Sequence, residues 1–145
     1  MKVACDSGYY SPEGETWCRP VPAGFSYSGS GDPTICAGGT FSPSGKATCT
    51  ACPDGTWSES GAEVCLPCPA GYKCDSQNSI TLCLKGQYSL TNSLTCSPCA
   101  LGFICYPGSD TPTPAAYSCP KGYYCPLSGT AIVQTACPAG NYGTM

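Results

Sequence analysis

Four times in this chain a cysteine is followed by glycine at the third residue, an aromatic at the fifth and a second cysteine at the thirteenth. These long loops open at Cys5, Cys36, Cys52 and Cys83 and close at Cys18, Cys49, Cys65 and Cys96, and Cys137 opens a fifth with Gly140 and Tyr142. Nine residues after each opening cysteine stand Gly14, Gly45, Gly61 and Asn92. Glycine and asparagine tolerate positive φ best, which marks this position as a turn apex. Each loop therefore reads as a short hairpin, with an extended Gly-x-aromatic-Ser arm, a tight turn and a return arm ending in cysteine.

A shorter element carries cysteine, glycine at the third residue, an aromatic at the fourth and cysteine at the sixth: Cys68 to Cys74, Cys99 to Cys105 and Cys119 to Cys125. A degenerate copy, Val21-PAGFS-Tyr27, keeps the pattern and drops both cysteines. Long and short elements alternate at a step of 31 residues, with one step cut to 16 where the Cys36 loop runs straight into the Cys52 loop. The organisation read from this is a first repeat over 1–35, a half repeat over 36–51, a second repeat over 52–82, a third over 83–118 and a partial repeat over 119–145. Within the third, the Pro/Thr-rich stretch 106–118 is expected to be an extended, polyproline-like spacer. Helix signals are interrupted throughout by Gly, Pro or Cys.

Fifteen cysteines in 145 residues belong to a disulfide scaffold made in an oxidising compartment, and the expected location is extracellular or cell-surface. With 18 glycines, 15 prolines and few large aliphatics, covalent staples must substitute for a hydrophobic core. Six basic and nine acidic residues are scattered without a basic stripe, which speaks against nucleic acid. No apolar run approaches the ~20 residues of a membrane span. The first residues, MKVACDS, are too short and polar for a signal peptide, so a secretion signal is expected upstream or already removed.

Spacing alone does not determine cysteine pairing. The simultaneous loss of cysteine at Val21 and Tyr27 suggests that the two short-loop positions pair with each other, because losing one alone would strand a thiol. That gives Cys68–Cys74, Cys99–Cys105 and Cys119–Cys125, and by elimination Cys5–Cys18, Cys36–Cys49, Cys52–Cys65 and Cys83–Cys96; an interleaved pattern remains the alternative. In the chain-entropy account a 14-residue ring stabilises by about 3 kcal/mol and a seven-residue ring by about 2.4 kcal/mol. Cys137 is unpaired within the segment; a partner would fall at position 150 if the array continues, and the rival reading is an interchain bridge.

Cys49-x2-Cys52-x12-Cys65-x2-Cys68 has the spacing of a four-cysteine zinc ribbon. The Cys5 loop keeps the twelve-residue spacing without either Cys-x-x-Cys, which favours bridges over metal, and no cofactor or metal is expected. The chain contains no histidine, so Ser-His-Asp and Cys-His catalysis are excluded, and no enzymatic activity is expected. Nine of the fifteen aromatics occupy fixed repeat positions, where covering a disulfide and stacking on a neighbour is the plain account. Tyr9, Trp17, Tyr27, Tyr106, Tyr117 and Tyr124 fall off register and are the better candidates for binding a sugar or a partner. No Asn-x-Ser/Thr sequon occurs; Thr111 and Thr113, between prolines, are the candidate O-glycosylation positions.

CLPCPAGYKC, CPKGYYCPLSGT and CPDGTWSESGAEVC strongly resemble the ephrin-receptor-like cysteine-rich repeat. The resemblance extends over essentially the whole chain and departs from the pattern at Val21, Tyr27 and the shortened step. It implies an extracellular, structural or adhesive role and no catalytic residues. The expected fold is a small disulfide-rich, elongated array of short β-hairpins with little regular secondary structure. The expected function is an extracellular structural segment, a stapled rod in a cell-surface, matrix or appendage assembly that self-associates or binds protein partners or glycans. A ligand-binding or adhesion ectodomain is the alternative.

Overall fold

The computed structural model describes residues 3–125 and 135–140; Asn141, Tyr142 and the end of the partial repeat lie outside the described residues. Each hairpin begins with the same turn. In Cys-x-x-Gly, the residue after the opener accepts a hydrogen bond from the N–H three residues on, as in Tyr9 to Asp6, Phe25 to Pro22 and Tyr72 to Pro69, at 3.0–3.2 Å. The glycine between them takes φ of +80° in Gly24 and +84° in Gly71, the third position of a type II turn, which favours glycine for steric reasons. The long and short loops of the sequence are thus one element.

The strands are two residues long almost everywhere. β1 (Tyr9–Tyr10) pairs with β2 (Arg19–Pro20), β3 (Phe25–Ser26) with β4 (Thr34–Ile35), and β5 (Thr40–Phe41) with β6 (Thr50–Ala51). β7 (Thr56–Trp57) pairs with β8 (Leu66–Pro67), and β9 (Tyr72–Ser76) with β10 (Ser79–Leu82). β11 (Gln87–Tyr88) pairs with β12 (Ser97–Pro98), and β13 (Tyr123–Tyr124) with β14 (Thr135–Ala136). A bridge between Phe103 and Ser118 closes one further hairpin, opened by Cys99. Within each unit the turn-glycine carbonyl then accepts the N–H of the next opener, as in Val21 to Gly8, Cys36 to Gly24, Cys83 to Gly71 and Cys119 to Gly102. Successive openers, from Cys5 through Val21 to Cys137, are 16, 15, 16, 16, 15, 16, 20 and 18 residues apart. The 31-residue step is therefore two hairpins, and residues 36–51 form a complete one.

Two compact units result, Met1–Pro67 with Ser76–Ser79, and Cys68–Asp75 with Ile80–Met145. The buried interior of the first is Val21, Cys36, Cys52 and Ser11, Ser42 and Ser58; that of the second is Cys68, Cys74, Cys83, Cys99, Ile104, Cys105 and Ser89. Two aliphatic side chains among mostly sulfur and hydroxyl groups make a core of half-cystines and serines. Leu66, Leu84, Leu90 and Leu101 are by contrast exposed.

Residues 106–118, expected to form a polyproline-like spacer, fold back as the loop of the Cys99 hairpin. A turn at Tyr106 to Ser109 (3.1 Å), an Ala100 N–H bond to the Pro112 carbonyl (3.0 Å) and a 3-10 turn at Ala115–Tyr117 hold it. The prolines forbid helix but leave carbonyls free to accept, and the hairpin uses them. Among the described residues no helix is long and apolar enough to cross a membrane.

Candidate functional surface: the stapled ladder

Seven disulfides join Cys5–Cys18, Cys36–Cys49, Cys52–Cys65, Cys68–Cys74, Cys83–Cys96, Cys99–Cys105 and Cys119–Cys125, and Cys137 is a free cysteine. One position explains the two ring sizes. Six residues after the opener stand Ser11, Ser42, Ser58 and Ser89 in the long loops, but Cys74, Cys105 and Cys125 in the short ones. In an extended arm this side chain faces the same side as the fourth residue and the opposite side from the fifth, and it lies beside the opener's sulfur. Where it is cysteine, the opener bridges to it; where it is serine, the opener bridges across the hairpin thirteen residues on. Cys52 Sγ lies 3.4 Å from Ser58 Oγ, within hydrogen-bonding reach for sulfur.

A buried serine hydroxyl needs a partner. Ser58 Oγ donates to the Thr40 carbonyl at 3.0 Å and Ser89 Oγ to the Tyr72 carbonyl at 2.6 Å, in each case a strand of the preceding hairpin in the same unit. Cysteine counting alone does not find this position. The signal is the serine at a constant offset, visible once the loops are aligned on their openers.

In the Val21 hairpin both cysteine positions are filled by other means. Val21 is fully buried, as Cys68 is in its place. Tyr27 is half-buried, with its ring 5.9 Å from that of Tyr10 and tilted by 50°, a favourable aromatic pairing.

Backbone hydrogen bonds tie hairpin to hairpin within each unit. The apex N–H reaches back to the preceding opener's carbonyl: Gly45 to Val21, Gly61 to Cys36 and Asn92 to Cys68 at 2.8 Å, Gly108 to Cys83 at 3.1 Å. The turn-glycine N–H reaches forward to the residue six after the next opener: Gly24 to Ser42 (2.7 Å), Gly39 to Ser58 (2.9 Å), Gly71 to Ser89 (2.9 Å) and Gly86 to Cys105 (2.8 Å). Contact extends two hairpins along. A Cβ on Gly8 would stand 2.1 Å from the Gly45 carbonyl oxygen, one on Gly24 2.1 Å from that of Gly61, and one on Gly71 2.3 Å from that of Gly108. Here glycine is needed both for its φ and for the close approach.

Charges lie outside this ladder. Arg19 pairs with Glu15 at 3.0 Å and lies 4.4 Å from the centre of the Trp17 ring. The ribbon-like cysteines are all in bridges, Cys49 to Cys36, Cys52 to Cys65 and Cys68 to Cys74. Of the off-register rings, Tyr9, Trp17, Tyr106 and Tyr124 are exposed. Thr113 is exposed, whereas Thr111 is half-buried with its hydroxyl accepting the Thr113 N–H at 3.3 Å.

Residues 39–83 match the family model for tyrosine-protein kinase ephrin type A/B receptor-like sequences. The match runs from the turn glycine of the Cys36 hairpin to the opener of the Cys83 hairpin, so it takes in three openers of the ladder, Cys52, Cys68 and Cys83. This segment is an ephrin-receptor-like cysteine-rich repeat, and the bridges repeat its pattern beyond the matched residues. No curated protein matches the chain.

Proposed function

We propose, from the ephrin-receptor-like repeat at residues 39–83 as the premise, that this chain is a non-catalytic structural segment of an extracellular assembly. The family and the seven bridges suggest an extracellular cysteine-rich module. The observation that carries the structural role is the backbone ladder. The same backbone donor and acceptor positions recur at four apexes and at four turn glycines, so within each unit one hairpin stacks on another whatever the surface side chains are. A segment built this way transmits position and resists proteolysis, which are the demands on a wall, matrix or appendage protein. Electron microscopy of the native material tests this: ordered filaments or sheets containing the chain support it, and discrete monomers overturn it.

A second reading, an adhesion or ligand-binding ectodomain, is favoured by the exposed rings of Tyr9, Trp17 and Tyr124. Rings of this kind stack on sugars and on partner chains. Glycan-array binding that is lost in Trp17→Ala with its disulfides intact supports this second reading. Thr113, exposed between prolines, is the better of the two O-glycosylation candidates; a native mass equal to the sequence mass rules modification out.

A further inference from the structure

A cut peptide bond divides a chain only where no disulfide spans the cut. In the Cys5, Cys36, Cys52 and Cys83 hairpins the bridge encloses the apex, so a nick there leaves both ends joined through sulfur. Between Cys5 and Cys125 the segments outside every ring are 19–35, 50–51, 66–67, 75–82, 97–98 and 106–118. The three two-residue segments are the strands β6, β8 and β12, held by their pairing. Segment 75–82 is tied at its tip, where the Gln77 carbonyl accepts the Ser58 N–H at 2.8 Å and the Ser76 and Ser79 hydroxyls lie 3.0 Å apart. Segment 106–118 is bonded into the Cys99 hairpin and carries Pro107, Pro112 and Pro114.

Segment 19–35 differs. Its middle, Ser28-Gly29-Ser30-Gly31-Asp32, is exposed at all five residues, and among the described residues none of the five makes a hydrogen bond or ion pair. Gly29 and Gly31 take φ of +94° and +77°, with no atom within 4 Å of where either Cβ would stand. Seven residues separate β3 from β4, against two between β9 and β10. The open stretch is anchored on both sides, by the Tyr27 N–H on the Ala47 carbonyl at 2.8 Å and the Ser26 hydroxyl on the Thr34 carbonyl at 3.3 Å. An exposed tip of small polar residues, with no bonds to break, can be drawn extended into a protease cleft without unfolding its neighbours. Residues 28–34 include no basic, aromatic or large aliphatic side chain, so the enzyme that fits is one that accepts small residues at the cut.

We propose that Ser28–Asp32 is a processing site for an endoprotease that prefers small residues, and that the cut replaces a covalent connection within the first unit by a non-covalent one. Water adds across one peptide bond, leaving a carboxylate on one piece and an ammonium on the other, and no other reagent is consumed. The piece through Tyr27 and the piece from Pro33 share no disulfide, because Cys5–Cys18 lies wholly in the first and the remaining bridges wholly in the second. The ladder keeps them docked, through Gly24 N–H to the Ser42 carbonyl (2.7 Å), Gly45 N–H to the Val21 carbonyl (2.8 Å) and the seating of Gly8 and Gly24 on the Gly45 and Gly61 carbonyls. The site therefore holds at rest and parts under denaturation or load. It applies equally to a structural segment and to an ectodomain.

Elastase, which cuts after small residues, tests the site on the oxidised 145-residue chain without reductant. The first cut should fall within 28–32, at least about tenfold faster than at any other bond. Two pieces should then appear in denaturing, non-reducing electrophoresis, and the same sample should elute as one species under native conditions. Labelling of free α-amino groups in native material shows whether the site is used, with new amino termini expected among Gly29, Ser30, Gly31 and Asp32. A first cut in 75–82 or 106–118 overturns the proposal, as do pieces that separate under native conditions. Native chains in which every peptide spanning Tyr27 to Thr34 is uncut overturn it as well.

Discussion

The Val21 and Cys68 hairpins follow the same backbone course, one without a bridge and one with it. Both begin with the type II turn, Phe25 to Pro22 and Tyr72 to Pro69, each at 3.2 Å. Both turn glycines donate forward, Gly24 to Ser42 and Gly71 to Ser89, and both openers accept at 2.8 Å, from Gly45 and Asn92. They differ beyond the sixth residue. With the bridge, β9 and β10 run five and four residues; without it, β3 and β4 run two each and are joined by the exposed stretch Ser28-Gly29-Ser30-Gly31-Asp32. The turn and the ladder direct the chain, and the disulfide secures a path that already exists.

The strongest way to break this comparison is to attack the ladder where no bridge can help. Gly24→Ala places a methyl 2.1 Å from the Gly61 carbonyl oxygen and should cost about 3 kcal/mol, combining left-handed backbone strain with a backbone clash. Gly14→Ala has the same backbone strain, φ +85°, and open space, and should cost about 1 kcal/mol. Chemical denaturation of both variants decides it; equal losses would mean the close approach contributes nothing.

Removing a bridge is the next largest change. Cys68→Ser with Cys74→Ser should lose about 2.4 kcal/mol, the chain-entropy term of a seven-residue ring. Cys68→Val with Cys74→Tyr, which copies the other hairpin, should recover about 1 kcal/mol of that by apolar burial. If the serine and Val/Tyr variants melt together, the packing of Val21 and Tyr27 does not compensate for the missing bridge.

The reverse exchange should also work. Val21→Cys with Tyr27→Cys should form an eighth bridge and stabilise by about 1 kcal/mol, the ring term less the lost packing. Either substitution alone should leave a thiol that reacts with a maleimide. A double variant that stays fully reduced on exposure to air would show that the unbridged path differs at the sixth residue.

The smallest effect is the most specific. Ser58→Cys with Cys65→Ser should convert a long loop to a short one, with Cys52 bridged to the introduced thiol, because the Cys52 and Ser58 side chains already lie 3.4 Å apart. Halving the ring reduces the entropic term by only about 0.6 kcal/mol. Tryptic mapping under non-reducing conditions identifies the new bridge, and its absence would refute the equivalence of the sixth position in the two loops.

These comparisons also show what could be read from the amino acids. The hairpin array was legible because its turns demand glycine: Gly14, Gly45, Gly61 and Asn92 all take positive φ, and Asn92 is the one non-glycine among the described residues to do so. The ladder was not legible, since a backbone N–H and carbonyl carry no residue-specific mark. Its trace is Gly8, Gly24 and Gly71, whose conservative explanation as turn residues hides the carbonyl packed against them. The hydrogen bonds that tie 106–118 into the Cys99 hairpin were not legible, because proline composition reports which conformations are forbidden, not where its carbonyls find donors. The buried serines were in view throughout, but a reading organised by cysteines treats Ser58 as filler when it occupies the position of Cys74.

Every bridge closes between residues 6 or 13 apart, and none links one hairpin to another. For a chain entering an oxidising compartment from its amino end, this means that each cysteine meets its partner before most of the later ones have arrived. Oxidation can proceed in order of synthesis, with only a few open thiols at any moment and few opportunities for scrambling. The ladder reaches forward by only one or two hairpins, so each completed hairpin is inspected by the next to emerge. Contacts confined to near neighbours let folding propagate along an array of repeats. A polypeptide organised so can be extended by duplication without acquiring a new folding problem.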